Sequence, residues 1–202
     1  MSLRDVVPDA SVIDAAFKLQ IEDAKGAKVE FGLLFAQQKT IIVFIRHFFC
    51  GVCAYVQQLA NIPEAALQSA GTKIVVIGCG EWKAIEHYAE LTGFRGPLYA
   101  DSSRKLYHTL GMDIQTLAKT PSGQKKASYI TMSGLQNAWE SIKSGPFARP
   151  ALIGKQGNMS QLGGDFVFGP AGNECSFAHR MQHTEDHVEV ADLMKAAGVV
   201  LP

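Results

Sequence analysis

Cysteine is scarce in this chain. Four in 202 residues are far too few for the disulfide scaffold of a small secreted domain. Net charge is missing as well: nineteen Lys and Arg balance nineteen Asp and Glu, so no long-range field draws the protein to nucleic acid or to an anionic membrane. Lys125-Lys126 is the one adjacent basic pair of note, and Arg46 and Arg149 stand alone in the sequence. Long apolar runs are absent too; Ile41–Ile45 and Ile74–Ile77 are strand-sized and cannot span a bilayer. No uninterrupted apolar stretch follows Met1-Ser-Leu-Arg-Asp5, so a secretory signal is not expected. Gly78-x-Gly80 lacks the third glycine and the distal acid of a dinucleotide fingerprint. Neither a Ser/His/Asp arrangement nor a local pair of carboxylates is evident. These absences predict a cytoplasmic protein in a reducing setting, without nucleic-acid or membrane partners. In composition, 47% hydrophobic and 19% charged residues match a soluble globular chain, long enough to bury one core over residues 1–202.

The pattern of what remains is α/β. Val12, Ile13, Ala16 and Phe17 predict a helix within Ser11–Gln20, and Lys28–Gly32 a short strand after the Lys25-Gly26 turn. Thr40–Ile45 and Thr72–Gly78 are β-branched and apolar on both faces, as central parallel strands must be. From Cys53, residues Val56, Leu59, Ala60, Ile62 and Ala66 recur at helical spacing, with a break at Pro63 and a stop at Gly71. A helix over Glu81–Leu91, a strand over Pro97–Ala100 and a helix over Ser102–Leu110 capped by Asp101 complete a β-α-β-α-β-α series. Leu135, Ala138, Trp139 and Ile142 predict a helix near 133–144, inside an insertion near 112–160 that packs on the sheet. Gln161–Phe168 and Asn173–Met181 read as an antiparallel hairpin across Gly169-Pro-Ala-Gly172. Asp186-His-Val-Glu189 has the form of a capping box for a last helix that ends at Gly198.

Cys50-Gly51-Val52-Cys53 stands where the first buried strand gives way to a helix. Only an ionised sulfur attacks a disulfide or a peroxide, and a helix N-terminus favours that form with its free amides and partial positive charge. There a cysteine pKa falls from about 8.5 into roughly the 3.5–7.5 range. Cys50, at the helix start, is the candidate nucleophile. Cys53, one turn in, is the candidate resolving thiol, which expels the product once Cys50 has formed a mixed disulfide. The bland alternative is a pair of inert thiols packed on the sheet. A CxxC after the first buried strand, in a βαβα half followed by a ββα half, is the thioredoxin-type arrangement.

The stretch Phe44-Ile-Arg-His-Phe-Phe-Cys-Gly-Val-Cys53 resembles the peroxiredoxin-like branch of the AhpC/TSA superfamily. The likeness continues at Ile77-Gly-Cys-Gly80, Leu98-Tyr-Ala-Asp101, Gly163-Gly-Asp-Phe-Val-Phe-Gly-Pro170, His179-Arg180 and Asp186-His187. It implies a thioredoxin-like fold, a central mixed sheet flanked by helices with an N-terminal extension, and a thiol-dependent antioxidant protein without a cofactor. A peroxide, a thiol or disulfide substrate and an external thiol reductant are the implied partners. Two departures stand out. Where peroxiredoxins proper carry a threonine and a proline ahead of the reactive cysteine, this chain has His47 and Val43. Where thioredoxin has a buried aspartate and a cis-proline, this chain has Phe44 and Gly163-Gly164.

Around the pair, Arg46 and His47 are the candidate positive groups for the Cys50 thiolate, and strand alternation sends them to opposite faces. Arg149 and Arg180 are further candidates from later in the chain. Phe48 and Phe49 suit either a docking rim or the core. Parallel strands end on one edge, so Cys79, between Gly78 and Gly80, either approaches the CxxC or is a loop cysteine without a partner. The first case allows a second disulfide. It also allows another class of protein, in which Cys50, Cys53 and Cys79 ligate zinc or an iron–sulfur cluster, within one chain or between two copies in a homodimer. A third class is a thioredoxin-like interaction module with little turnover. Cys175 is expected to share one strand face with Phe177, His179 and Met181. The spacing Cys175-x3-His179-x3-His183-x3-His187 would align metal ligands on a helix, but the segment reads as strand, turn and helix start. His187 is therefore expected at the surface or in a cap.

Overall fold

A computed structural model describes residues 3–49, 53–130, 150–170 and 174–201, and of Cys53 the backbone. The two apolar runs form strands β3 (Lys39–Ile45) and β4 (Thr72–Gly78), paired in parallel with Phe44 opposite Ile77 and Ile45 opposite Gly78. Around them lie β1 (Gln20–Glu22), β2 (Lys28–Glu30), β5 (Leu98–Ala100), β6 (Gly164–Phe168) and β7 (Cys175–Arg180). Among the described residues these seven form one sheet in the order β2-β1-β5-β4-β3-β6-β7. The β3-β4-β5 centre is parallel, and β1, β6 and β7 join antiparallel. This is the mixed sheet of the thioredoxin-like fold.

Alternation along β3 explains why it is apolar throughout. Ile41, Val43 and Ile45 enter one core with α2 (Cys53–Ala60), α4 (Ile85–Thr92) and α6 (Val190–Ala196). Ile42 and Phe44 enter the opposite core with α1 (Ala10–Phe17) and α5 (Lys105–Thr109). Each fully buried Ile or Phe contributes about 1.5–3 kcal/mol, so the sheet centre is the strongest anchor of the fold. α3 (Glu64–Ser69) follows the break at Pro63, as the missing proline amide dictates.

Several local expectations are corrected. The N-terminal extension holds β1 as well as the expected β2, closed by a turn in which Asp23 Oδ1 accepts from the Lys25 and Ala27 amides. Asp101 is not the residue flanking α5. It reaches forward instead, accepting from the Leu106 amide at one oxygen and the Ser103 hydroxyl at the other. A register shift between Val167 and Phe168 places Cys175 opposite Phe168 and Phe177 opposite Val167. The extra residue turns Cys175 into the α1-side core while Phe177 packs on the α2-side core. The expected single face is thus broken by the bulge. α6 begins at Val190 rather than after Asp186, so the D-x-x-E box does not form. Asp186 instead accepts from the Gln182 amide and Arg4, and Glu189 from the Ser128 amide and hydroxyl.

The described parts of the insertion, 112–130 and 150–160, contain a 3-10 turn at Pro150–Leu152. The helix expected near 133–144, together with Arg149 and the loop residues Ala171–Asn173, lies outside the described residues. The two described arms are stitched by the Thr116 amide to the Ser160 carbonyl and the Leu162 amide to the Ile114 carbonyl. At the other margin the N-terminal segment straps β7. The Arg180 amide donates to the Arg4 carbonyl (2.7 Å), its guanidinium to the Leu3, Val6 and Leu110 carbonyls, and His179 pairs with Asp5 at 2.7 Å. No described helix is long and apolar enough to cross a membrane.

Candidate active site

β3 and β4 end side by side, and their last carbonyls need donors that no further strand residue can supply. The buried Tyr107 hydroxyl donates to Ile45 (2.7 Å) and Ile77 (2.9 Å), tying the two strands together. The Cys79 thiol donates to the Arg46 carbonyl at 2.8 Å and lies 3.7 Å from that of Asn158. The returning arm of the insertion completes the wall, with the Phe48 amide on the Gln156 carbonyl and the Glu81 amide on that of Lys155. Glycine is required at two close approaches. A side chain at Gly78 would overlap the Phe48 ring, and one at Gly163 would overlap the Phe44 carbonyl.

This end of β3 leads into the CxxC. Cys53 is the first described residue of α2. Cys50, Gly51 and Val52 lie outside the described residues.

The residues upstream are placed with clear roles. Arg46 is buried, and its Nη2 donates to the Met159 carbonyl at 2.7 Å. His47 is buried too, with Nδ1 accepting from the Phe49 amide at 3.2 Å. Burial, reinforced by Arg46, pulls its pKa down to about 3, so at neutral pH it is an uncharged imidazole and not the expected cation. Phe48 is core, packed edge-on against Tyr88, whereas Phe49 packs edge-on against the His87 ring.

Cys79 and Cys175 are the free thiols among the described residues, and both are buried. Burial pushes each up to about 11. Cys79 is thus a protonated donor to backbone carbonyls, and its flanking glycines make room for Phe48 and residues 155–156. Among the described residues no three His, Cys, Asp or Glu side chains group as metal ligands.

A cluster on the opposite side of β3 was not legible in the sequence. Asp165 of β6 is fully buried. Its carboxylate accepts from the Tyr55 hydroxyl (3.3 Å), His187 Nδ1 (3.0 Å) and the Val188 amide (3.0 Å). The His187 ring, expected at the surface, is 7% exposed and stacks on Tyr55 at 4.3 Å. It turns inward because α6 starts only at Val190, leaving 186–189 free to run against β6. Tyr129 closes the group, packing against Tyr55 and donating to the Glu185 and His187 carbonyls. Its only sequence signal was a lone aspartate in the apolar run Gly164–Phe168.

A parallel β3-β4 centre with an antiparallel β6-β7 hairpin defines a thioredoxin-type fold, and the sequence places Cys50-Gly51-Val52-Cys53 between β3 and α2. The comparisons agree. The AhpC/TSA antioxidant enzyme family matches residues 58–183. Human Peroxiredoxin-like 2C is 35% identical over 92% of this chain and 80% of its own. Human Prostamide/prostaglandin F synthase is 24% identical over 86% and 82%. Among solved structures, Peroxiredoxin Q of Xanthomonas campestris aligns with a TM-score of 0.51 at 18% identity, over 92% of this chain and 89% of its own. A cysteine-to-serine mutant of Peroxiredoxin 6 from Arenicola marina aligns with a TM-score of 0.58 at 13% identity, over 91% and 70%. The chain belongs to the peroxiredoxin-like branch of the AhpC/TSA family.

Proposed function

We propose that the protein is a thiol-dependent peroxide and disulfide reductase working through the Cys50/Cys53 pair. The observation that carries this reading is the helix α2 (Cys53–Ala60), which follows the edge where β3 and β4 end. The sequence thus puts Cys50 between β3 and this helix, whose N-terminal partial charge of roughly +0.5 favours a thiolate. Arg46, at the end of β3, supplies a permanent cation nearby in sequence, whereas His47 supplies an uncharged acceptor. Cys79 and Cys175 do not compete, because burial holds them protonated.

In the peroxide reaction the Cys50 thiolate attacks one peroxide oxygen. The O–O bond breaks, the alcohol leaves with a proton, and Cys50 becomes a sulfenic acid. Cys53 then attacks the Cys50 sulfur and releases water, closing a disulfide. Two equivalents of an external thiol, as a reducing cytoplasm supplies, restore the dithiol and leave as their own disulfide. A zinc or iron–sulfur reading finds less support, since the Cys79 thiol is engaged by the Arg46 carbonyl.

Thiol counting tests the proposal. One equivalent of peroxide should remove two thiols from wild type, Cys53→Ser should accumulate a mixed disulfide with an added thiol, and Cys50→Ser should lose none. Four thiols persisting in wild type after both peroxide and a small disulfide would overturn it.

A further inference from the structure

We propose that Arg180 anchors a binding site for a small carboxylate with an apolar tail, a medium-chain fatty acid anion, at the end of β7. The site is independent of the dithiol and goes beyond the reductase reading.

Arg180 is the last residue of β7 and is 6% exposed. Its Nε donates to the Leu110 carbonyl (2.6 Å), and its Nη1 to the carbonyls of Leu3 (2.6 Å) and Val6 (2.7 Å). The guanidinium carbon lies 5.3 Å from the centre of the Phe166 ring. Gly111, at φ +79°, permits this placement, since a Cβ there would stand 3.1 Å from Nε. These contacts fix the guanidinium, but three carbonyl dipoles and a ring do not cancel a unit charge. Buried charges are ordinarily paired, because desolvating an unpaired ion is costly. Among the described residues Arg180 has no carboxylate partner. Asp5 and Asp113 act on it only from beyond ion-pair distance, and each is held by a histidine, Asp5 by His179 and Asp113 by His108, both at 2.7 Å. Burial accordingly pulls the guanidinium pKa below its ordinary value.

Nη2 is the edge left over. It has no hydrogen-bond partner among the described residues and is not sealed from solvent. Arg180 borders an open groove of about 340 Å³, with apolar walls formed by Leu3, Met112, Ile114, Leu162 and Met181. That volume falls at the small end of the roughly 300–1,000 Å³ of small-molecule sites. Leu3 and Ile114 are 57% and 39% exposed, so the groove presents apolar surface to water that a hydrocarbon would cover. Arg4, the other cation on the groove, is paired with Asp186 at 2.8 Å, and the Gln182 side-chain amide donates to the Arg180 carbonyl. One fixed cation with few further donors suits a single negative charge rather than a phosphate. A carboxylate accepting from Nη2 would form a charge-assisted hydrogen bond, and its tail would lie against Leu3 and Ile114.

Calorimetric titration of the full-length protein with octanoate tests the proposal, with acetate, octanol and inorganic phosphate as comparisons. Octanoate should bind with a Kd about tenfold or more below that of each comparison. Ile114→Trp fills the groove from a partly exposed position and leaves Arg180 in place; it should weaken octanoate about tenfold. Arg180→Lys keeps a cation but loses the planar fork. It should weaken octanoate by a similar factor and leave octanol unchanged. If circular dichroism shows that Arg180→Lys does not fold, Ile114→Trp and the difference between octanoate and octanol decide. Octanol bound as tightly as octanoate, phosphate bound more tightly, no octanoate bound at all, or octanoate binding indifferent to Ile114→Trp would each overturn the proposal.

Discussion

On one side of the end of β3, His47 sits beside Arg46 and accepts a single amide hydrogen bond. On the other, His187 sits against Asp165 and Tyr55. Both rings are buried, yet His47 takes only an amide hydrogen bond while His187 is bonded to a carboxylate. Burial, reinforced by Arg46, disfavours the imidazolium of His47. Only the second region sets a carboxylate and a stacked ring against the imidazole. Nearness in sequence to the CxxC therefore misled. His47, three residues before Cys50, is held neutral, and His187, far along the chain, is the ring bonded to the fully buried Asp165.

The comparison can be broken most severely at Asp165. Asp165→Ala removes the acceptor of three buried donors and should lower the urea-unfolding free energy by about 3–5 kcal/mol. His47→Leu orphans one amide and should cost about 1–3 kcal/mol. Equal losses would mean that the two sides are built alike.

Acid sharpens the contrast. The His47 pKa of about 3 lies below its unfolded value near 6.5, so the unfolded chain binds the extra proton first. The stability that His47 contributes is complete above pH 6.5 and is lost as pH falls toward 3, at up to about 1.4 kcal/mol per pH unit. Denaturation curves of His47→Leu should be flatter over that window than those of wild type, and a ring proton signal of His47 should not titrate above pH 4.

The smallest effect concerns Cys79. Cys79→Ala should cost about 1–2 kcal/mol for the lost donor to Arg46, and Cys79→Ser less. A raised thiol pKa has the opposite sign to that of His47. Its share of stability is intact below the unfolded pKa near 9 and is lost as pH rises through about 11. Alkylation of Cys79 in the native protein should accordingly stay slow below pH 9. Rapid labelling there would show that the thiol leaves its carbonyl partners.

The fold was legible in the sequence because its signals are local. Ile41–Ile45 and Ile74–Ile77 carry β-branched residues on both faces, which only a doubly covered strand tolerates, and the CxxC directly follows the first of them. The Asp165–His187 pair was hidden because it joins residues on different elements, and because Asp186 and Glu189 mimic a cap that the chain uses for other contacts. The charge of His47 was hidden for a related reason, since it depends on how deeply the ring is buried. Cys175 was misplaced by one bulge, which no two-residue periodicity can foresee.

The strap laid along β7 has a bearing on how copies of this chain can meet. Leu3–Val6 already occupy the outward margin at Arg180, and the far margin, β2, is three residues long with Lys28 and Glu30 on it. Among the described residues the Arg180 end of β7 is covered and β2 is short and charged, and both features disfavour backbone annealing by a neighbouring molecule. A tag fused ahead of Leu3 would emerge right beside that seam.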